Sequence, residues 1–284
     1  MSDKPPRNYD LSPARLSLLA NCPWSYHLRY LAKSRRRPGA TRAMRAGSAV
    51  HHAIARSLLP ASSTHGAARV AAVVLGRAQG ALDLTRHLGA KASERAREIA
   101  KSAVIELPRV RERWAETWIE AILGPAKVAG RADLVDLGWD TVVTVRDWKC
   151  QEPPAKFLDG GLADDPQAGF YMAGLRLRFP RAASIEAAWH YLPSGVVIRA
   201  TAPADHVARF KERVAGLWAI VRSGRYPATP SYPVCRSCQV RHVCAYRVRR
   251  PPDPGNNSAH NSADVALYSG DEGKRPSDEH RSQP

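Results

Sequence analysis

Asp147 and Lys149 close the stretch "TVVTVRDWKC" (141–150), two positions apart at the end of a β-branched run. Side chains two apart in a strand share a face, so a carboxylate and an ammonium emerge together where the strand stops. Fourteen positions upstream of Asp147, Asp133 sits late in a second alternating run, "AKVAGRADLVDL" (126–137). The "GWD" between the runs reads as a turn, which makes the pair a β-hairpin. Pairing about that turn brings Asp133 and Asp147 close across the ladder. Two adjacent carboxylates repel unless a cation sits between them. Mg²⁺ or Mn²⁺ suits them, because hard cations take oxygen ligands and keep waters in the remaining positions. Lys149 would orient or deprotonate an attacking water, and such a set suits metal-assisted phosphodiester hydrolysis. Taken alone, an Asp-x-Lys at a strand end is also an ordinary surface ion pair.

A second set of reactive residues lies near the C-terminus. "CRSCQVRHVC" spaces Cys235, Cys238 and Cys244 as Cys-x2-Cys-x5-Cys. Three thiolates in so short a segment favour a soft or borderline metal and leave one coordination position open. Cys22, in "NCPWSY", is the natural fourth. A four-thiolate site suits zinc and iron–sulfur alike, and spacing leaves the two open. Cys150, the fifth cysteine, is expected to be a small apolar residue of the sheet. An odd cysteine count and an N-terminus without an apolar signal core argue against a disulfide framework and for a cytoplasmic protein.

The formal net charge is +17 over 284 residues. Residues 251–284 hold six acidic and three basic side chains, so residues 1–250 carry about +20. A region that basic points to a polyanionic partner, with nucleic acid the usual one. No run of about eighteen apolar residues exists, which excludes a membrane-spanning helix as an expectation.

The elements that must hold these residues are of both kinds. Ser12 and Pro13 read as the N-cap and first turn of a helix that Pro23 should break. "TRAMRAGSAVHHAIARSLL" has helical spacing, and residues 65–121, rich in Ala and Arg, look largely helical with Pro108 as a break. The hairpin follows, then a helix in "DPQAGFYMAGLRLRF". "SIEAAWHYLP" and "GVVIRAT" make a second strand pair, and an amphipathic helix ends at Gly224. The expectation is an α/β chain: a helical N-terminal half, then a small sheet flanked by helices. Residues 1–10 read as a flexible N-terminus and 251–284 as a disordered tail.

Taken together, "GRAD", "DWK" and their spacing resemble the core of the PD-(D/E)XK nucleases, and more closely the RecB-type exonuclease group with its CRISPR-associated and phage relatives. That group carries a Gly-x-x-x-His element upstream, matched by Gly47 and His51 in "GSAVH", where the histidine is a further metal ligand. It also carries a Gln-x-x-x-Tyr element tied to DNA handling, matched by Gln167 and Tyr171 in "QAGFY". A subset adds one Cys-Pro and three C-terminal cysteines that hold a [4Fe–4S] cluster, and Cys22, Cys235, Cys238 and Cys244 match it. Family members often read Asp-Tyr-Lys followed by Thr, where this chain has Trp148 and Cys150.

The resemblance implies a restriction-endonuclease-like core in a single nuclease domain over 11–250. A helical insertion would lie around 62–121 and a cluster segment at 235–247. It implies a deoxyribonuclease, exonuclease-like on single-stranded DNA ends, in repair, recombination or CRISPR-like and phage DNA processing. Asp133, Asp147 and His51 would hold Mg²⁺ or Mn²⁺ and Lys149 would serve the water. A helicase, recombination or CRISPR adaptation partner is compatible with it. The rival expectation is a non-catalytic or complex-dependent nucleic-acid-binding subunit on a nuclease-like fold.

Overall fold

The computed structural model describes residues 8–32, 42–58, 94 and 107–248. The expected tail at 251–284 and most of the expected helical insertion lie outside the described residues. Helix α1 (Pro13–Asn21) starts as its sequence directs, with the Ser12 hydroxyl accepting from the Arg15 N–H at 3.3 Å and Pro13 in the first turn. Pro23 opens α2 (Pro23–Tyr26) and leaves Cys22 extended between the two helices. A π-helical turn follows at His27–Leu31. Helix α3 (Arg42–Leu58) buries Ala46, Val50 and Ile54.

Five strands form one sheet in sequence order: β1 (Glu112–Leu123), β2 (Ala126–Leu137), β3 (Val143–Lys149), β4 (Ile185–Tyr191) and β5 (Val196–Thr201). β3 and β4 are parallel and the other neighbours antiparallel. A parallel step needs a crossover, and α4 (Ala155–Leu158) with α5 (Pro166–Arg178) supplies it. Asp165 caps α5 by accepting from the N–H groups of Gln167 and Ala168. Gly174 lets α5 lie directly on β1, since a Cβ there would stand 2.6 Å from Ile119 Cγ2. Helix α6 (His206–Ser223) packs on α5 and ends at Gly224 in a left-handed conformation (φ +66°). Helix α7 (Tyr232–Ser237) leads into the cysteine segment.

Two expectations need correction. Residues 112–121 are not helical: they belong to β1, which pairs with β2 along its length. Their Ala and Glu disfavour a strand, but Trp114, Thr117, Trp118 and Ile119 favour one, and pairing with a neighbouring strand decides it. The alternation is nonetheless present, with Thr117, Ile119, Ala121 and Leu123 inside and Glu120 and Ile122 outside. Asp10, expected in the flexible terminus, is tied to β2: its N–H donates to the Lys127 carbonyl at 2.9 Å and its carboxylate accepts from the Lys127 N–H at 2.8 Å.

The β1–β2 ladder omits one pair, Glu116 and Asp133. Glu116 has φ +49°, a left-handed conformation that side chains other than glycine seldom adopt. Alternation reverses there in both strands. Before Glu116, Arg113 meets Asp136, which pairs with Arg146 on the sheet face away from α5. After it, Ile119 packs against α5. In β2, Gly130 lies against Phe170 of α5, whereas Asp136 faces the other way. Asp133 stands at the switch.

Candidate active site

Asp133 and Asp147 meet at the open end of the β2–β3 hairpin. The last paired positions are Leu134 and Arg146, so the two aspartates follow as the next residues across the ladder. Asp133 Oδ2 accepts from the Trp148 N–H at 2.8 Å, and its Oδ1 lies 3.1 Å from His51 Nδ1 on α3. Asp147 Oδ2 is 2.6 Å from Lys149 Nζ. Gln167, in the first turn of α5, joins this pair from above. Its Nε2 donates to Asp147 Oδ1 at 2.8 Å, and its Oε1 accepts from Lys149 Nζ at 2.8 Å. Lys149 also lies over the Trp189 ring of β4, 5.1 Å from the centroid.

One turn beyond Gln167, Tyr171 is buried and donates to the Arg131 carbonyl at 2.6 Å. The resemblance implied that Gln167 and Tyr171 handle DNA. Gln167 hydrogen-bonds to both Asp147 and Lys149, and Tyr171 to the strand that carries Asp133. His51 meets Asp133, and the side chain of His52 lies outside the described residues. Cys150, expected as an apolar residue of the sheet, lies just past the end of β3 and hydrogen-bonds through its thiol to the His51 ring.

The electrostatics follow from burying like charges together. Burial pushes the Asp147 carboxyl up, Lys149 opposes that, and the Asp133 charge adds to it. Burial pulls His51 down, but the charge and hydrogen bond of Asp133 outweigh it and hold the imidazole well above its usual range. Burial and the two aspartates push the Tyr171 hydroxyl well up. The sequence reading missed Glu116, which feels Asp133, His51 and Asp147 and pairs with Arg131 Nε at 2.8 Å. Recognising β1 as the partner of β2 would have placed it opposite Asp133.

Among the described residues no three His, Cys, Asp or Glu side chains converge closely enough to share one ion as they stand. The carboxylate oxygens are engaged by His51, Lys149, Gln167 and the Trp148 N–H. The donor chemistry nevertheless fits an oxygen-preferring cation: two buried, mutually repelling carboxylates with an imidazole at their side.

The cysteines gather elsewhere. Cys22, Cys235, Cys238 and Cys244 line one cavity, with Ser25, Val234 and Tyr246 among its walls. All five cysteines of the chain are free thiols. Burial pushes the Cys238 thiol up, with a smaller contribution from Cys244, Cys22 and Cys235. The chain termini of the domain are fastened around this cavity. Trp24 N–H donates to the Pro227 carbonyl at 3.2 Å, Thr229 donates to the Asn21 carbonyl at 2.8 Å, and Arg29 donates to Gln239. Trp24 meets Tyr246 edge-on at 5.6 Å. Four thiols around one cavity fit a thiolate-held metal or cluster in donor type.

A five-stranded mixed sheet flanked by helices, with two carboxylates and a lysine at one hairpin end, belongs to the restriction-endonuclease-like class of α/β folds. Residues 10–245 match the PD-(D/E)XK nuclease superfamily, and the chain belongs to it. It is therefore a nuclease and a hydrolase, in a superfamily that generally works with Mg²⁺ or Mn²⁺ and takes DNA as substrate. No curated protein matches the chain. A crystal structure described as "Putative exonuclease" from Eubacterium rectale is similar at a TM-score of 0.46 and 10% identity, covering 86% of this chain and 91% of that one. The crystal structure of SSO0001 is similar at 0.38 and 15%, covering 87% and 90%. Among the described residues no helix is long and apolar enough to cross a membrane.

Proposed function

We propose that this chain is an exonuclease that hydrolyses DNA from single-stranded ends, using Asp133, Asp147, His51 and Lys149. The observation that carries the reading is the Gln167 amide, which bridges Asp147 and Lys149 while Asp133 is pinned beside them. Asp133 and Asp147, with His51, would hold Mg²⁺ or Mn²⁺, which supplies positive charge to the phosphate in its transition state. Lys149 has three N–H donors. Asp147 and Gln167 occupy two of them and leave the third for the attacking water or a phosphate oxygen. Trp189 and the buried strand ends keep that ammonium in place. The net charge of +17 suits phosphate contacts, so binding is expected to weaken steeply with salt.

Cys22, Cys235, Cys238 and Cys244 would hold a [4Fe–4S] cluster with a structural role, joining the first helices to the C-terminal segment. The lining of one cavity by these four thiols supports that reading.

The test is the purified chain with Mn²⁺ or Mg²⁺ on DNA labelled at either end, single- and double-stranded. The expected result is metal-dependent release of short products from single-stranded ends. Cleavage of closed circular single strands at the same rate would overturn the exonuclease assignment. Undiminished cleavage by Asp147→Ala would overturn the site.

A further inference from the structure

We infer that the arginine-rich face around the thiol cavity binds single-stranded nucleic acid and leads it toward the catalytic carboxylates along the start of α3. The inference rests on the function proposed above and adds a substrate contact outside the catalytic groups.

Charge and contact identify the face. Residues 22–32, 44–51 and 224–248 contain six arginines, Arg29, Arg45, Arg225, Arg236, Arg241 and Arg247, and no aspartate or glutamate. Side-chain contacts join the three segments. Arg29 donates to Gln239, the Gln239 amide reaches Met44 Sδ at 3.5 Å, and Trp24 meets the Tyr246 ring. Arg241, Tyr246 and Arg247 stand at the thiol cavity and are exposed. Exposed arginines elsewhere lie beside acids, as Arg131 beside Glu116, Arg199 beside Glu186 and Arg209 beside Asp205. On this face Arg29 and Arg241 instead donate to an amide and to the Arg236 carbonyl, which leave their charge in place. Such a concentration of one sign suits a polyanion.

The aromatic content selects the kind of polyanion. Tyr246 is 50% exposed and is held edge-on by Trp24. An exposed ring among arginines can stack a base while the guanidinium groups take phosphates, and only a single strand offers its base faces. The face also adjoins the site. Met44 lies two turns before His51 on α3, about 10 Å along the helix, and His51 meets Asp133. A strand lying over Arg241, Gln239 and Arg45 therefore arrives beside His51.

The test uses the full chain made cleavage-deficient by Asp147→Asn. Its binding to a fluorescein-labelled single strand of about sixteen nucleotides is read by anisotropy between about 50 and 200 mM salt. Arg45→Gln, Arg241→Gln and Arg247→Gln together should weaken binding about tenfold to a hundredfold. They should also flatten log K against log salt by about 2, since each single-strand phosphate contact contributes about 0.7 to that slope. Arg111→Gln, Arg199→Gln and Arg209→Gln remove the same charge from places beside acids and should change the slope by less than about 0.5. Tyr246→Ala should weaken binding about fivefold or more at unchanged slope, because stacking releases no counterion. Melting of each variant is compared with Asp147→Asn alone. Single exchanges replace a triple that melts lower, with about 0.7 of slope expected from each. Equal flattening by the two triples assigns binding to net charge and overturns the proposed face. Slope and affinity unchanged by the first triple overturn it as well and leave the face to an acidic protein. Unchanged affinity in Tyr246→Ala overturns the stacking role. No binding of single strands by the Asp147→Asn chain overturns the proposed function itself.

Discussion

Asp133, Asp147 and Lys149 lie within seventeen consecutive positions on one hairpin, whereas Cys22 and its three partner cysteines are more than two hundred residues apart. The first group is aligned by strand geometry, which places neighbouring side chains within a few ångströms once the turn forms. The second is brought together by packing of the chain ends, through Trp24, Thr229 and Tyr246. Local chemistry can therefore be lost at the hairpin without disturbing the fold. Loss at the cysteine cavity should disturb the fold while leaving the hairpin chemistry intact where the chain still folds. The same contrast separates their electrostatics. The carboxylates are pinned by hydrogen bonds to Gln167 and the Trp148 N–H, whereas the thiols share a cavity.

The largest expected effect breaks the hairpin half of the comparison. Asp133→Ala, Asp147→Ala and Lys149→Ala should each lower the rate of DNA cleavage on the order of 10³-fold, because each removes a contact to cation or water. Circular dichroism and melting should stay close to wild type. A parallel collapse of the fold would show that these residues serve packing.

Next comes the cavity. Cys22→Ser and Cys235→Ser should lower Tm by about 10 °C each and by similar amounts, since either releases a tie that closes a very long loop. Anaerobically purified wild type should be brown, with absorbance near roughly 400 nm from thiolate-ligated iron, and Cys150→Ser should keep that colour. A colourless protein with about one zinc per chain would reject the cluster and keep the tie. Unchanged melting in Cys22→Ser would remove the tie as well.

A smaller loss should follow from Gln167→Ala. It touches Asp147 and Lys149 without being part of the strand pair, so kcat should fall about tenfold to a hundredfold with KM for DNA nearly unchanged. A rise in KM with unchanged kcat would instead give Gln167 the DNA-handling role that the resemblance implies.

The last effect, small per pH unit, concerns the sheet face away from α5. His190 lies against Trp148 at 4.8 Å, and its Nε2 is 3.3 Å from Arg146 Nη1. Burial, then Arg146 and Arg199, depress its pKa to about 3. The unfolded chain takes up this proton below about pH 6.5 while the folded chain refuses it until about 3. Stability should therefore fall as pH drops through that window, by at most about 1.4 kcal/mol per pH unit from this group. His190→Gln keeps an acceptor for Arg146 and should flatten the dependence of Tm on pH between those limits. An unchanged slope would show that other groups carry the acid sensitivity.

Short-range patterns were legible in the sequence. The hairpin, its turn and the approach of Asp133 to Asp147 follow from period-two alternation and a two-sided ladder. The Ser12 cap, the Pro23 break and the Gly224 stop follow from backbone chemistry that acts within a few residues. The identity of the four cysteines that share a cavity was also readable, from spacing and resemblance. Tertiary structure alone decided the rest. β1 is a strand because β2 offers it backbone partners at every position but Glu116, although its Ala and Glu residues suit a helix. Gln167 bridges Asp147 and Lys149 because the parallel crossover carries α5 back over the end of β3, a placement that no local pattern encodes. Glu116 stands opposite Asp133 at a reversal of alternation in two paired strands, and such a reversal exists only once both strands have found their register.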